Sequence, residues 1–191
     1  MEIKKIVVGP LQTNCYLLVD GSDLAIIDPG DDAAAIDEEI KKSAVRPKYI
    51  INTHGHFDHT GANIWLKKKY GVPVVAGINE LPQVGFYPEI ILRGGQDIKV
   101  GNVLLRVVEA PGHTPGGICL FGPDFVISGD TIFEDSIGRT DLPGGSDVDM
   151  ARSLKKLDRI IATGTTIYPG HGNIFKYEKG MMDNWMDYLD K

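Results

Sequence analysis

The chain has 191 residues, of which 42% are hydrophobic and 24% charged, as is typical of folded globular proteins. This length suits one domain, and we expect a single domain over residues 1–191. The formal net charge of −6 argues against nonspecific binding to nucleic acid or to anionic membranes. A small-molecule substrate is therefore expected, while nothing in the composition indicates an oligomeric state.

The N-terminal segment MEIKKIVVGP has only a short apolar run before its proline, unlike a secretory signal. No apolar run approaches the ~20 residues that a membrane-spanning helix needs. A cytoplasmic location without membrane association is therefore predicted. Cys15 and Cys119 lie far apart, each within an apolar run, and are predicted to be small buried hydrophobic residues.

The first half of the chain predicts the element order β-β-β-α-β-α-β. Short apolar runs bounded by Gly, Pro or Asp predict strands in IKKIVVG, CYLLVD, LAIIDPG and KYIINTH, with a helix in DDAAAIDEEIKKSAV before the last of them. A second helix is predicted from Thr60 as N-cap to the terminating Gly71, with Ile64 and Trp65 directed toward the core.

The second half predicts a β-rich region that is closed by helices. Further strands are predicted in VPVVAG, QDIKV, NVLLRVVEA, GGICLFG, DFVISGD and TTIYPGHG. Between the last two, a helix is predicted near Asp147 to Ala162, because apolar side chains recur on one face at Met150, Leu154, Leu157 and Ile161. The segment MMDNWMDYLDK predicts a final short helix.

All five histidines follow predicted strands and lie in short, glycine-flanked segments. The segment THGHFDHTG holds His54, His56, Asp58 and His59; APGHTPGG holds His113, and YPGHG holds His171. A lone histidine is more often a hydrogen-bonded structural residue than a ligand, but five so placed favour metal binding. Imidazole and carboxylate together suit Zn, Fe or Mn.

Two further polar residues each leave two interpretations open. Asp130 in ISGDTIF follows a buried strand, where its carboxylate would either bridge two cations or cap a turn, and the neighbouring histidines favour the ligand role. Arg139 in GRTDLPGGS would either bind a substrate carboxylate or pin a glycine-rich loop.

The order H-x-H-x-D-H, followed by separate His, Asp and His residues, resembles the metallo-β-lactamase superfamily over nearly the whole chain. TNCYLL, IDPG, PGHTPGG, SGDTIF and GRTDLPGGS resemble its hydroxyacylglutathione hydrolase (glyoxalase II) branch, particularly short bacterial relatives. The resemblance implies an α/β fold, a four-layer αβ/βα sandwich of two mixed β-sheets flanked by helices. It is more specific for fold and metal site than for substrate.

The resemblance also implies the roles of the site residues. One metal would be held by His54, His56 and His113, the other by Asp58, His59 and His171, with Asp130 bridging. The cofactors would be two divalent ions, zinc first, with iron or manganese as alternatives. A metal-bridging hydroxide would attack a small thioester such as S-lactoylglutathione, and Asp58 would orient it or receive its proton.

Other functions on the same fold remain open at this point. A persulfide dioxygenase would use one iron held by two histidines and an aspartate, and a lactonase or β-lactamase would use the same hydroxide on a cyclic ester or amide. A nuclease is disfavoured by the acidic chain, and a purely structural zinc site by the lack of cysteine ligands. Glyoxalase II enzymes commonly carry a tyrosine shortly beyond the last histidine, where this chain has Gly172, Asn173, Ile174 and Phe175.

Overall fold

The computed structural model describes residues 1–80 and 87–189, with the side chains of residues 187 and 188 left out. Two six-stranded sheets form its centre. In the first sheet the strands lie in chain order: β1 (Glu2–Val8), β2 (Thr13–Asp20), β3 (Asp23–Ile27), β4 (Pro47–Ile51), β5 (Val74–Gly77) and β6 (Ile90–Leu92). Strands β1 to β3 pair antiparallel, and β3 to β6 pair parallel, so this sheet is mixed.

The second sheet is built from the rest of the chain. Its strands, numbered along the chain, are β7 (Asp97–Val100), β8 (Val103–Glu109), β9 (Ile118–Phe121), β10 (Phe125–Gly129), β11 (Thr166–Pro169) and β12 (Phe175–Lys176). Only the β10–β11 pair is parallel, and the other neighbours pair antiparallel.

Helices cover the outer face of each sheet. They are α1 (Ala33–Ser43), α2 (Phe57–Thr60), α3 (Asn63–Tyr70), α4 (Asp147–Ile160) and α5 (Asp183–Leu189). Side chains of α1 and α3 pack on the first sheet, and those of α4 and α5 on the second. None of the helices in residues 1–80 and 87–189 is long and apolar enough to cross a membrane.

Strand β2 illustrates why the apolar runs are nearly continuous. Tyr16 and Leu18 point into the core between the sheets, whereas Cys15 and Leu17 point outward beneath the helices. Successive side chains of a strand face opposite sides, so a sheet covered on both faces needs apolar residues at every position. The four-layer αβ/βα sandwich of two mixed sheets is therefore confirmed.

Most predicted elements are present, and the differences are local. The helix predicted near Asp147 to Ala162 is α4, whose predicted apolar face is buried, and Ser146 caps it by accepting a hydrogen bond from the Asp149 amide at 3.2 Å. Cys15 and Cys119 are fully buried, as predicted. Strands β6 and β12 have three and two residues and were not predicted.

The helix predicted from Thr60 to Gly71 was wrong in its start and its buried face. The chain forms α2 and α3 instead, and Thr60 ends α2, with its hydroxyl donating to the carbonyl oxygen of His56 at 3.2 Å rather than capping α3. Ile64 and Trp65 are 63% and 45% exposed, because the register of α3 turns Leu66 toward the sheet instead.

Candidate metal centre

The seven predicted ligands meet at one edge of the sandwich, where strands of both sheets end. The segments that deliver them are the loop after β4 for His54 and His56, α2 for Asp58 and His59, the β8–β9 loop for His113, and the residues after β10 and β11 for Asp130 and His171. Within the described residues, these side chains form three overlapping groups in which all ligand atoms lie within 4.8 Å of one another.

The first group consists of His54, His56 and His113. Nδ1 of His56 and Nε2 of His113 face each other at 2.8 Å, and Nε2 of His54 is buried without a hydrogen-bond partner. Nδ1 of His113 lies 2.7 Å from the carbonyl oxygen of Arg139. Since a carbonyl only accepts, Nδ1 carries the proton and the lone pair of Nε2 faces the group.

The second group consists of Asp58, His59 and His171. Oδ2 of Asp58 lies 3.2 Å from Nε2 of His171 and 3.6 Å from Nε2 of His59. Nδ1 of His171 donates to the carbonyl oxygen of Leu11 at 3.0 Å, so Nε2 is the ring nitrogen that faces inward. These two triads have the same members as the two ligand sets that the family resemblance implied.

Asp130 lies between the two triads. Its Oδ1 is 3.3 Å from Nε2 of His59, and its Oδ2 is 3.4 Å from Nε2 of His171 and 3.6 Å from Nε2 of His113. Oδ1 is buried and has no hydrogen-bond partner. One carboxylate thus reaches both triads, which is the geometry that a bridging ligand requires.

Charges within the cluster shift its pKa values strongly. Burial opposes ionisation of Asp130, but His59 and His171 hold its pKa well below the usual range. Burial also opposes a charge on His171, yet hydrogen bonds to Asp130 and Asp58 raise its pKa to about 10. The carboxylates thus attract positive charge into a buried site, where a metal cation would displace these protons.

The donor set fits divalent transition-metal ions. Buried nitrogen and oxygen atoms without hydrogen-bond partners, Nε2 of His54 and Oδ1 of Asp130, are costly in a folded protein unless another partner satisfies them. Imidazole nitrogens with carboxylate oxygens match Zn, Fe and Mn. The chain therefore contains a metal-binding cluster of histidine and aspartate side chains.

Asp28 supports both triads and was missed as a functional residue by the sequence reasoning. It is buried; its Oδ1 accepts from the Thr53 amide at 2.7 Å, and its Oδ2 accepts from the Thr53 hydroxyl at 2.7 Å. Oδ2 also lies 3.2 Å from Nδ1 of His59, and the Thr53 hydroxyl lies 3.2 Å from Nδ1 of His54. IDPG shows only that Asp28 follows a buried strand, and its contact with Thr53 arises from the pairing of β3 with β4.

The segment TNCYLL ties the two sheets together beside the site. Thr13 forms an isolated bridge with His171, and its hydroxyl donates to Oδ2 of Asp58 at 3.1 Å. The side-chain amide of Asn14 donates to the carbonyl oxygens of Pro169 and Gly172 at 2.9 and 3.1 Å. Strand β2 of the first sheet therefore fixes the histidine loop of the second.

Comparison with known proteins assigns the family. The family model of the metallo-beta-lactamase superfamily matches residues 8–171. The chain belongs to this superfamily. A probable metallo-hydrolase of Bacillus subtilis, YqgX, is 32% identical, and the alignment covers 90% of each chain.

Two further proteins are similar to this chain. A hydroxyacylglutathione hydrolase of Anaeromyxobacter dehalogenans is 34% identical over 82% of this chain and 60% of that protein. The crystal structure of TTHA1623 in a di-iron-bound form superposes with a TM-score of 0.85 at 31% identity, covering 94% of this chain and 96% of that one.

In the present protein, a cavity of about 630 Å³ opens above the metal-binding cluster. His56, Asp58, His113, Asp130 and His171 form its floor, and residues 133–139, Leu11 and Leu142 contribute to its outer wall. A cavity of this size accommodates a small organic molecule. The cluster is thus accessible from outside through one open cavity.

Arg139 lies in the cavity wall, but its guanidinium is paired with a neighbour. Its Nε and Nη2 donate to Oδ1 and Oδ2 of Asp141 at 2.6 and 2.7 Å. Its carbonyl oxygen meanwhile fixes His113. This geometry favours the loop-pinning interpretation, and binding of a substrate carboxylate by Arg139 stays a prediction.

Proposed function

We propose that the protein is a binuclear metal-dependent hydrolase that cleaves a small thioester, with S-lactoylglutathione as the reference substrate. The observation that carries the proposal is Asp130, whose carboxylate lies between the three-histidine group and the group with Asp58. Its Oδ2 is 3.6 Å from Nε2 of His113 and 3.4 Å from Nε2 of His171. The similarity to a hydroxyacylglutathione hydrolase supports the thioester class, and the similarity to a probable metallo-hydrolase supports hydrolysis.

His54, His56 and His113 would hold one ion, and Asp58, His59 and His171 the other, with Asp130 shared. Two divalent ions bound there would supply Lewis acidity, which ionises water near neutral pH and polarises a carbonyl oxygen. We propose zinc as the first choice of metal. Iron and manganese are the alternatives, and the di-iron form of TTHA1623 supports iron.

Residues of the chain would position the attacking water and the histidine ligands. Oδ2 of Asp58 is held by the Thr13 hydroxyl in the cavity floor, where it can orient the attacking water and receive its proton. The carbonyl oxygens of Arg139 and Leu11 fix the tautomers of His113 and His171. A thiolate leaves readily, so the mechanism requires no dedicated general acid.

A second candidate is a persulfide dioxygenase with one iron. The third group of the cluster, His54, His59 and Asp130, combines two imidazoles with one carboxylate and is largely buried. Mononuclear non-haem iron enzymes use two histidines and one carboxylate. Iron content and persulfide-dependent oxygen uptake separate this candidate from the hydrolase.

Asp58→Asn tests the proposed role of Asp58. We expect kcat for S-lactoylglutathione hydrolysis to fall by about 10²- to 10⁴-fold, the usual contribution of a positioned proton acceptor, with the melting temperature retained. Asp124→Asn, which removes an exposed carboxylate from the β9–β10 turn, is the matched control and should keep full activity. Unchanged turnover in Asp58→Asn with its metals in place would contradict the assignment.

A further inference from the structure

We propose that the outer wall of the cavity selects against thioesters whose thiol half carries negative charge. This inference rests on the proposed hydrolase function and specifies its substrate class. It follows from three features of the wall: its apolar side chains, its carboxylates and the ion pair between Arg139 and Asp141.

Apolar side chains form much of the outer wall. Leu11, Phe133, Ile137 and Leu142 line it. Leu11 is 64% exposed, and the Phe133 ring lies edge-on to His171 with 6.2 Å between the ring centroids. An apolar part of a bound substrate would cover this surface and remove it from water.

Two carboxylates extend from the same wall. Glu134 and Asp135 are exposed and lie in a tight turn, which the Phe133 amide closes by donating to the carbonyl oxygen of Ser136 at 2.9 Å. Oε2 of Glu134 also accepts a hydrogen bond from the Asn173 side chain at 2.9 Å. This turn therefore keeps both negative charges at the cavity mouth.

The nearby cations do not offset these charges. Among the described residues that line the cavity, Arg139 is the one lysine or arginine, and its charge is paired with Asp141, which accepts from its Nε and Nη2. Lys5 donates to the carbonyl oxygen of Gly172 at 3.1 Å, but its side chain does not belong to the described lining. Within the described lining, the carboxylates of Glu134 and Asp135 thus have no unpaired cation of the wall beside them.

The thiol half of a thioester extends outward from the carbonyl over this mouth. A carboxylate on that half would approach Glu134 and Asp135 in partly solvated surroundings, where like charges repel appreciably. The glutathione half of S-lactoylglutathione carries two carboxylates and one ammonium. We therefore expect S-lactoylglutathione to be a poorer substrate than thioesters whose thiol half is neutral or cationic.

Three acetyl thioesters that differ in the charge of the thiol half test this selection. They are acetylthiocholine (positive), S-acetyl-N-acetylcysteamine (neutral) and S-acetyl-3-mercaptopropionate (negative). With metal-loaded enzyme at low ionic strength, we expect kcat/KM for the negative substrate to be at least about fivefold below the other two. Added salt should narrow this difference, because it screens exposed charges.

The double variant Glu134→Gln/Asp135→Asn should bring the three kcat/KM values to within about twofold of one another. Glu38→Gln/Asp124→Asn removes two carboxylates outside the described cavity lining and should preserve the discrimination. Equal kcat/KM values in the wild type, or discrimination that survives loss of Glu134 and Asp135, would overturn the inference while leaving the hydrolase intact. Absence of metal-dependent turnover on all three thioesters would overturn the proposed function and the inference with it.

Discussion

Asp28 controls the metal-binding cluster without belonging to it. Its two oxygens accept from both donors of Thr53 and face Nδ1 of His59, and Thr53 in turn faces Nδ1 of His54. One buried carboxylate thereby lies beside an imidazole of the second triad and, through Thr53, beside an imidazole of the first. Such outer partners fix the ring orientation and the basicity of metal-ligating histidines.

Replacement of Asp28 by asparagine should weaken both metal sites together. Asparagine has one acceptor oxygen, whereas both oxygens of Asp28 accept a hydrogen bond from Thr53 at 2.7 Å, so one of these donors loses its partner. We expect metal affinity to fall about 10- to 100-fold at each site, as measured by competition with a chromogenic chelator. Asp124→Asn is again the control, and wild-type affinity at either site in Asp28→Asn would contradict the shared role.

The convergence of the ligands was predictable from the sequence, whereas the role of Asp28 was not. Every histidine follows a strand and is flanked by glycine, and this local pattern alone directs attention to the cluster. The contact of Asp28 with Thr53 depends on the parallel pairing of β3 with β4 across 25 residues. No local pattern reports such a pairing.

At the scale of elements, the loop after β11 approaches the cluster so closely that only glycine fits at position 170. A Cβ on Gly170 would lie 2.0 Å from Oδ1 of Asp130 and 2.6 Å from Cε1 of His59. The backbone of Gly170 is also held on both sides, because its amide donates to Gly129 and its carbonyl accepts from Asn14. Neither the loop nor the cluster can therefore move aside without breaking other contacts.

Gly170→Ala should displace Asp130 and reduce the metal content of the purified protein to below one ion per chain, with loss of hydrolysis. The matched control is Gly164→Ala, at a residue with φ of +86° and open space around its Cα. That variant should lose about 1 kcal/mol of stability while keeping its metals. Full metal occupancy in Gly170→Ala would show that the cluster tolerates the methyl group.

Tertiary contacts explain the elements that the sequence missed. The helix predicted from Thr60 is interrupted because the Ala62 amide donates to the carbonyl oxygen of Pro29 at 3.0 Å instead of continuing α2. A Cβ on Gly61 would lie 2.3 Å from the carbonyl oxygen of Gly30, so the two backbones nearly touch. Helix α4 was predicted because it is long and its apolar side chains recur along the local sequence. Strands β6 and β12 are too short to show an alternation of apolar and polar residues.

At the scale of the whole molecule, the sandwich brings distant parts of the chain to one edge. The first sheet supplies the segment from His54 to His59, and the second supplies His113, Asp130 and His171. The bridge between Thr13 and His171 joins the two sheets there. The layered fold was expected from the order of the motifs, whereas periodicity alone does not give the order of strands within each sheet.

The number of metal ions per chain tests the central claim most directly. Protein purified anaerobically would be analysed by mass spectrometry for metals, and the same sample assayed for S-lactoylglutathione hydrolysis and persulfide-dependent oxygen uptake. We expect close to two divalent ions per chain, together with thioester hydrolysis that a chelator abolishes and added metal restores. One iron per chain with oxygen uptake and no hydrolysis would contradict the binuclear hydrolase and favour the dioxygenase.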